Sequence, residues 1–220
     1  MPKHMPKQNL NIDIIKKDRH GNTPLHLAVF EGNTHQVRLL LQDKKIDVNA
    51  RNNYCNAALH YVVSDQYITL LKILLEESAT IDVNAIDNDS YAPLHYAAFE
   101  GHLEMTQLLL NHINIDVNIK DKYENTPLHY AAFEVHLEVL NAFQTNKNIH
   151  INSTNYNGNT PLYYAAYKGH LELVEVLVAT EGIQIMLKNK YGRTPFDAAN
   201  WKSHSKCCEV LYNAIHQKDA

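Results

Sequence analysis

Apolar residues in this chain fall into short clusters separated by polar loops. In residues 92–110 the first cluster holds Leu94 and the pair Ala97-Ala98, and the second holds Leu103 and the run Leu108 to Leu110. The second cluster recurs at roughly 3.6-residue spacing, which is typical of an amphipathic helix. Gly101 lies between the clusters, where the chain can turn left-handed without steric cost. The pattern predicts two short helices joined at Gly101.

Polar residues mark the ends of this helix pair. Residues 87–90 have the composition of a tight hairpin tip, and residues 111–118 supply the turn after the second helix. In other copies of the pattern a Thr-Pro pair opens the first helix. The Thr hydroxyl can cap free backbone N–H groups, and Pro suits the first helical position.

The pattern recurs along the chain at a fixed period, which indicates a repeat architecture. The helix starts lie 34, 35, 34, 34 and 34 residues apart. They are Thr23-Pro24-Leu25-His26, Ala57-Ala58-Leu59-His60, Ala92-Pro93-Leu94-His95, Thr126-Pro127-Leu128-His129, Thr160-Pro161-Leu162-Tyr163 and Thr194-Pro195-Phe196-Asp197. A second marker begins 11 residues before each start: Ile12-Asp13-Ile14, Ile46-Asp47-Val48, Ile81-Asp82-Val83, Ile115-Asp116-Val117, Ile149-His150-Ile151 and Ile183-Gln184-Ile185.

These motifs resemble the ankyrin repeat, with its Thr-Pro-Leu-His opening, Ala-Ala pair, Gly-His-Leu-Glu junction and Asp-Val-Asn loop. The resemblance implies an all-α solenoid of stacked helix–turn–helix units with short β-hairpin tips. We expect residues 1–11 to form an N-terminal tail and residues 12–220 a single domain. The repeats are expected at approximately 18–51, 52–86, 87–120, 121–154, 155–188 and 189–220.

Some units depart from the pattern. The Gly after the first helix is kept as Gly32, Gly101 and Gly169 but is replaced by Gln66, Val135 and Ser203. A β-branched residue in the left-handed region costs about 1–2 kcal/mol, so Val135 is expected to force a different turn. Its unit also carries residues 141–144, Asn-Ala-Phe-Gln, in place of a Leu/Val run. We therefore predict that the fourth repeat is the least stable.

The two ends differ. Residues 202–206 of the last unit are polar and suit a terminal helix that faces water. About eleven residues precede the first marker, too few for a helical cap. Either the first repeat caps itself or the chain is a fragment of a longer protein, and both alternatives stay open.

Composition adds few constraints. There is no apolar run of about 18 residues, so no membrane span is expected, and the N-terminus lacks the apolar core of a secretory signal. Three cysteines, two of them adjacent, favour a reducing compartment, and we expect a cytoplasmic protein. The net charge of −4 argues against nucleic acid as the main partner. A monomer is expected.

Neither the histidines nor the cysteines predict a chemical centre. The resemblance implies that His26, His60, His95 and His129 bond loop backbone. Stacked helices lie about 8–10 Å apart, too far for periodic histidines to share a metal whose ligands lie at about 2.1 Å. No Cys-x-x-Cys pair, catalytic triad or phosphate loop stands out from the repeat. We expect no enzyme activity, no metal and no cofactor.

Positions that vary while the repeat stays fixed are the candidates for recognition. The resemblance places the first helices and tips on a concave face. There, the seventh residue after each opening residue is Phe30, Ser64, Phe99, Phe133, Tyr167 or Trp201, and the fourth is Leu27, Tyr61, Tyr96, Tyr130, Tyr164 or Ala198. Three residues apart on a helix, these columns are neighbours, and they predict a ribbon of aromatic rings. The alternative is that the Tyr column only covers the frame between helix and tip.

The next column carries charge: Glu31, Asp65, Glu100, Glu134, Lys168 and Lys202. Its sign changes between the fourth and fifth units, which predicts an electrically polar groove; plain solvated charge is the alternative. Further basic residues and tyrosines lie at the tips. The candidate partner-binding residues are Phe30, Tyr61, Tyr96, Phe99, Glu100, Tyr123, Tyr130, Phe133, Glu134, Tyr164, Tyr167, Lys168, Tyr191 and Trp201.

The leading hypothesis is a non-catalytic scaffold that binds a partner protein. Two other classes stay open: a targeting module of a larger protein, including an effector delivered into a host cell by an intracellular bacterium or parasite, and a nucleic-acid binder acting through basic tips.

Overall fold

The computed structural model describes residues 15–217, and all the regular secondary structure within them is α-helical. The twelve helices are α1 Pro24–Phe30, α2 Thr34–Leu41, α3 Ala58–Ser64, α4 Ile68–Glu77, α5 Pro93–Glu100, α6 Leu103–Leu110, α7 Pro127–Phe133, α8 Leu137–Gln144, α9 Pro161–Lys168, α10 Leu171–Ala179, α11 Pro195–Trp201 and α12 Ser205–Gln217. The all-α prediction is confirmed. The first marker, at residues 12–14, and the predicted tail at 1–11 lie outside the described residues.

The helices stack in two layers. Odd-numbered helices pack on one another from α1 to α11, and even-numbered helices form a second layer behind them. Between them runs a continuous core of leucine, valine and alanine side chains. Ala97 and Ala98 are fully buried, and their small side chains let α5 lie close to its neighbours. The bounds predicted for the individual repeats stay a prediction.

The predicted β-hairpin tips are tight turns, and none of the residues in 15–217 forms a strand. In the tip of the third repeat the Asp87 N–H donates to the Tyr91 carbonyl (3.0 Å), and the Ser90 N–H donates to the Asp87 carbonyl (3.1 Å). Neighbouring tips are joined by single backbone bonds, such as the one from the Tyr156 N–H to the Tyr123 carbonyl (2.9 Å). Such a bond joins four of the five neighbouring pairs of tips in residues 15–217, all except those of the second and third repeats, and it holds the tips in register without building a ladder.

The histidines of the first four helix-start motifs join each of those starts to the next tip. The Nδ1 atom of His129 accepts from the Thr126 N–H (3.0 Å), so the neutral ring carries its proton on Nε2 and donates it to the Asn159 carbonyl (3.0 Å). His26, His60 and His95 make the same pair of contacts, to the carbonyls of Asn56, Tyr91 and Asn125. The role implied by the resemblance, bonding loop backbone, is confirmed for all four.

The expectation that Val135 forces a different turn is wrong. Its φ is 71°, in the same left-handed region as Gly101 at 76°, and Gln66 and Ser203 follow at 58° and 62°. The reason is that backbone hydrogen bonds close the turn whatever the side chain. The His136 N–H donates to the Ala131 carbonyl (3.0 Å), as the His102 N–H donates to the Ala97 carbonyl (2.9 Å).

Asparagines tie the loops that follow the second helices. The Asn118 side chain donates to the Asn148 carbonyl and accepts from the His150 N–H, both at 2.8 Å. Asn49, Asn84 and Asn152 bridge their neighbouring loops in the same way. Each amide therefore satisfies one donor and one acceptor of the next repeat.

In the second-helix layer the fourth repeat packs least closely on the repeat that follows it. Helix α8 packs against α6 but approaches α10 less closely than any other pair of neighbours in that layer. Phe143 is fully buried and fills the core. Ala142, however, occupies the place that Leu108 and Val176 hold in adjacent repeats. A groove of about 480 Å³ opens between α6 and α8 beside it.

No helix in residues 15–217 is long and apolar enough to cross a bilayer.

Candidate protein-binding surface

The two aromatic columns predicted from the sequence meet across repeats. We call Phe30, Phe99, Phe133, Tyr167 and Trp201, together with Tyr61, Tyr96, Tyr130 and Tyr164, the aromatic ribbon. Ring centroids lie 4.6 Å apart for Phe30–Tyr61, 6.0 Å for Phe99–Tyr130, 5.4 Å for Phe133–Tyr164 and 5.8 Å for Tyr167–Trp201. The seventh-position ring of one repeat therefore packs edge-on or tilted against a ring of the next repeat. Such geometries are favoured by the ring quadrupoles.

One position interrupts the ribbon. Ser64 stands where the other repeats carry a ring, so no side chain reaches from the second repeat to Tyr96 in this way. The ribbon consists of a short N-terminal piece, Phe30 with Tyr61, and a longer piece over the third to sixth repeats.

The tyrosine hydroxyls of the ribbon form hydrogen bonds with residues of the tips. The Tyr96 hydroxyl donates to the Asp87 carboxylate (2.5 Å), and the Tyr130 hydroxyl donates to Asp121. Burial raises the pKa of Tyr96, and the hydrogen bond to Asp87 adds to the shift. Tyr61 and Tyr164 instead accept from asparagines of their own tips, Asn52 and Asn155. These bonds hold the rings in place and support the alternative that this column covers the frame.

The seventh-position rings are the accessible part of the ribbon. Phe99 is 44% exposed and Trp201 is 60% exposed, while Phe133 and Tyr167 are half-buried. At the tips, Tyr123 and Tyr191 point into solvent. Tyr91, a tip tyrosine in sequence, is instead tied to the Tyr130 hydroxyl at 2.9 Å.

Cations lie over the rings at the C-terminal end. The Nζ of Lys168 is 3.6 Å from the Phe133 centroid, and the Nζ of Lys202 is 4.6 Å from that of Tyr167. The guanidinium carbon of Arg193 lies 5.0 Å from the Trp201 ring. Each lysine therefore reaches back over the preceding repeat, a cation–π geometry. Glu100 is exposed and Glu134 is half-buried, each on the same column in its own repeat.

Sequence reasoning missed these cation–ring pairs and the place of Arg193 beside Trp201. The charged column could be found in the sequence, because Lys168 and Lys202 follow Tyr167 and Trp201. The direction in which each lysine side chain extends could not be found there, since it depends on how one repeat packs on the next.

Chemically reactive groups are not gathered on this surface. Within residues 15–217 no three His, Cys, Asp or Glu side chains cluster as metal ligands would. Burial raises the pKa of the Cys207 thiol, which is opposite to what a nucleophile requires. The arrangement offers contact area, hydrogen-bond donors and charge.

Comparison with known proteins agrees with this geometry. The family model for ankyrin repeats (3 copies) matches residues 5–87, 59–155 and 136–219. The crystal structure of EF0377, an ankyrin repeat protein, superposes with a TM-score of 0.80 at 26% sequence identity, over 86% of this chain and 96% of that one. The nuclear factor NF-kappa-B p105 subunit of Gallus gallus is 35% identical over 71 residues, which is 31% of this chain and only 7% of that protein. The chain belongs to the ankyrin repeat family.

Proposed function

We propose that this chain is a non-catalytic scaffold that holds a partner protein against the face formed by its first helices and tips. Ankyrin repeats are generally protein–protein interaction modules and are typically non-catalytic. The contact residues would be the accessible rings of the aromatic ribbon, flanked by Glu100, Glu134 and Lys168 and by the tip residues Tyr123 and Tyr191.

The observation that carries this proposal is the set of exposed aromatic rings backed by a fixed frame. Phe99 packs on Tyr130, whose hydroxyl is tied to Asp121, and Phe133 packs on Tyr164, which is tied to Asn155. Aromatic side chains bring large, stiff contact area and are enriched at binding hot spots. A frame that is ordered before binding also lowers the entropic cost of association.

The test is affinity capture from cell lysate with the wild type and a triple variant, Phe99→Ala, Phe133→Ala and Tyr167→Ala. A matched control carries Ile113→Ala, Met186→Ala and Tyr212→Ala, which remove exposed apolar side chains away from the ribbon. Circular dichroism and urea unfolding check that both variants are folded.

A captured protein is identified and its binding is measured again with purified components. We expect the ribbon variant to lose at least tenfold in affinity and the control variant to match the wild type. Equal binding by all three proteins would move the site to another face and overturn the proposal.

A further inference from the structure

The C-terminal part of the aromatic ribbon carries a patch of cations. We define the basic–aromatic patch as Phe133, Tyr167, Lys168, Arg193, Trp201 and Lys202. Its three cations lie 3.6 to 5.0 Å from the centroids of its three rings. Trp201 and both lysines are exposed, so the Trp201 ring and the ammonium groups face solvent together, while the Phe133 and Tyr167 rings are half-buried beneath the lysines.

Within residues 15–217 these cations make no salt bridge. The ion pairs found in residues 15–217 are Arg38–Glu77, Lys72–Glu104, Lys120–Glu124 and Lys122–Asp89, and none involves the patch. A ring face orients a cation but leaves most of its N–H donors unused. The patch is therefore arranged to receive carboxylate or phosphate oxygens from outside.

The rest of the same column has the opposite charge. Glu31, Asp65 and Glu100 are exposed carboxylates on the first three repeats, and Glu134 continues the column on the fourth. A polynucleotide carries negative charge along its whole length, so its backbone would be repelled once it extended past the patch. A peptide with separate acidic and basic blocks matches both parts of the column.

Resting on the proposed function, we infer that the partner contributes an extended peptide segment with two charge blocks. Its acidic side chains contact Lys168, Lys202 and Arg193, and an apolar side chain packs on Trp201. Its basic side chains lie against Glu100 and Glu134. Complementarity of this kind fixes the register of a partner and rejects uniformly charged competitors.

The dimensions set the length of the probe. Neighbouring helices in such a stack lie about 10 Å apart, and an extended chain advances about 3.3 Å per residue, so roughly three residues cross one repeat. Crossing the third to sixth repeats therefore takes about 12 residues. The probe is a synthetic 12-residue peptide, roughly half Lys and half Glu in two blocks, with one Phe in the Glu block.

Trp201 supplies the readout, because it is the one tryptophan of the chain. The block-charged peptide is titrated against its fluorescence and compared with a peptide of the same composition whose charges alternate. We expect the block-charged peptide to bind at least tenfold more tightly and to lose affinity as salt rises. Equal binding of the two peptides would overturn the inference, and so would tighter binding of oligo-dT than of the block-charged peptide.

Charge-reversal variants locate the effect. Lys168→Glu with Lys202→Glu is expected to weaken the block-charged peptide at least tenfold. Lys44→Glu with Lys147→Glu makes the same change in net charge at two exposed loop lysines that are not part of the ribbon, and this control is expected to bind as the wild type does. Unchanged binding by the Lys168→Glu, Lys202→Glu variant would contradict the inference. The two proposals can fail separately. If the ribbon variant loses a captured protein but the peptide test fails, the proposed function stands and only the inference of two charge blocks is rejected.

Discussion

The residue between the two helices of a repeat, which we call the junction residue, determines whether the histidine one repeat later can form a hydrogen bond through its Nε2 atom. A Cβ added to Gly101 would lie 2.4 Å from Nδ1 of His136, and one on Gly169 would lie 2.5 Å from Nδ1 of His204. With glycine there, Nε2 of His136 donates to the Phe99 carbonyl (2.9 Å), and Nε2 of His204 donates to the Tyr167 carbonyl (3.1 Å).

Where the junction residue has a side chain, the next histidine loses this bond. His102 follows the Gln66 junction and His170 follows the Val135 junction, each one repeat later, and the Nε2 atoms of both are buried without a normal hydrogen bond. Burial lowers the pKa of His170, and the nearby Phe133 carbonyl offsets only part of that shift. The junction residue therefore acts on a ring 35 residues away in sequence.

Val135→Gly should stabilise the protein by about 1 kcal/mol. The substitution removes a left-handed penalty of about 1–2 kcal/mol, of which the greater entropy of glycine in the unfolded chain takes back a part. Val135 is 46% exposed, so little apolar burial is lost. Urea unfolding measures the change, and a rise in the pKa of His170, followed by NMR, would show that its hydrogen bond has formed.

The matched reverse change, Gly101→Val, should destabilise by at least about 2 kcal/mol because it adds both the penalty and the contact with His136. Stability lost in the Gly variant would show that Val135 contributes more by packing than it costs by strain.

The helix-start histidines make stability depend on pH. Burial lowers the pKa of His129 to about 4, from an ordinary value of 6.5, and lowers the pKa of His26, His60 and His95 as well. Their Nδ1 atoms accept backbone hydrogen bonds, so protonation would break those bonds. The unfolded chain thus binds more protons below pH 6.5, and stability should fall as the pH drops from 6.5 towards 4.

Each such histidine contributes up to roughly 1.4 kcal/mol of lost stability per pH unit in that window. Urea unfolding at a series of pH values measures the slope. The variant His129→Gln can still donate to the Asn159 carbonyl but does not titrate, so its slope should be shallower by about one proton. An unchanged slope would mean that His129 is not among the titrating groups.

At the scale of helices, the second-helix layer shows how sequence departures become structure. The Asn-Ala-Phe-Gln segment predicts a weak fourth repeat. In the structure α8 is the helix of this layer that packs least closely on its next neighbour, α10, and a groove opens on its α6 side. The sequence did not indicate that Phe143 would be fully buried, because its ring replaces volume that other repeats supply from smaller residues. The loose packing on α10 and the groove destabilise α8, whereas burial of the Phe143 ring stabilises it.

We predict faster amide exchange in α8 than in α6. Helix α8 has a weaker contact on one side, and Ala142 is smaller than Leu108, which holds the same position in α6, so local opening costs less free energy in α8.

Ala142→Val should slow the exchange in α8 and add roughly 0.5–1 kcal/mol of stability by placing apolar atoms in the groove. Hydrogen–deuterium exchange with mass spectrometry resolves the two helices. The control Ala199→Val, at a fully buried position of α11, should destabilise by crowding. Equal protection of α6 and α8 in the wild type would overturn the prediction of a soft fourth repeat.

For the whole molecule, period and register were enough to predict the fold, because each repeat places the same residues at the same points of one supersecondary unit. The composition of the ribbon was also predictable, since its columns lie at fixed offsets from each helix start. The contacts that these side chains make between repeats could not be predicted. Phe30 meeting Tyr61, or Lys168 covering Phe133, depends on the rotation between one repeat and the next, which spacing along the chain does not encode.

This nearest-neighbour construction has a testable consequence in the asparagine bridges. Asn118→Ala removes two hydrogen bonds between the loops of the third and fourth repeats and should cost about 1–2 kcal/mol. In a stack whose stability is a sum of units and interfaces, the loss should appear as faster exchange in those two repeats, with the first and last repeats unchanged. Asn88→Ala, at an exposed tip position, is the control and should leave every repeat as it was. If Asn118→Ala instead lowers protection equally from α1 to α12, the six helix pairs unfold as one cooperative unit, and the strength of each interface exceeds the intrinsic instability of a single repeat.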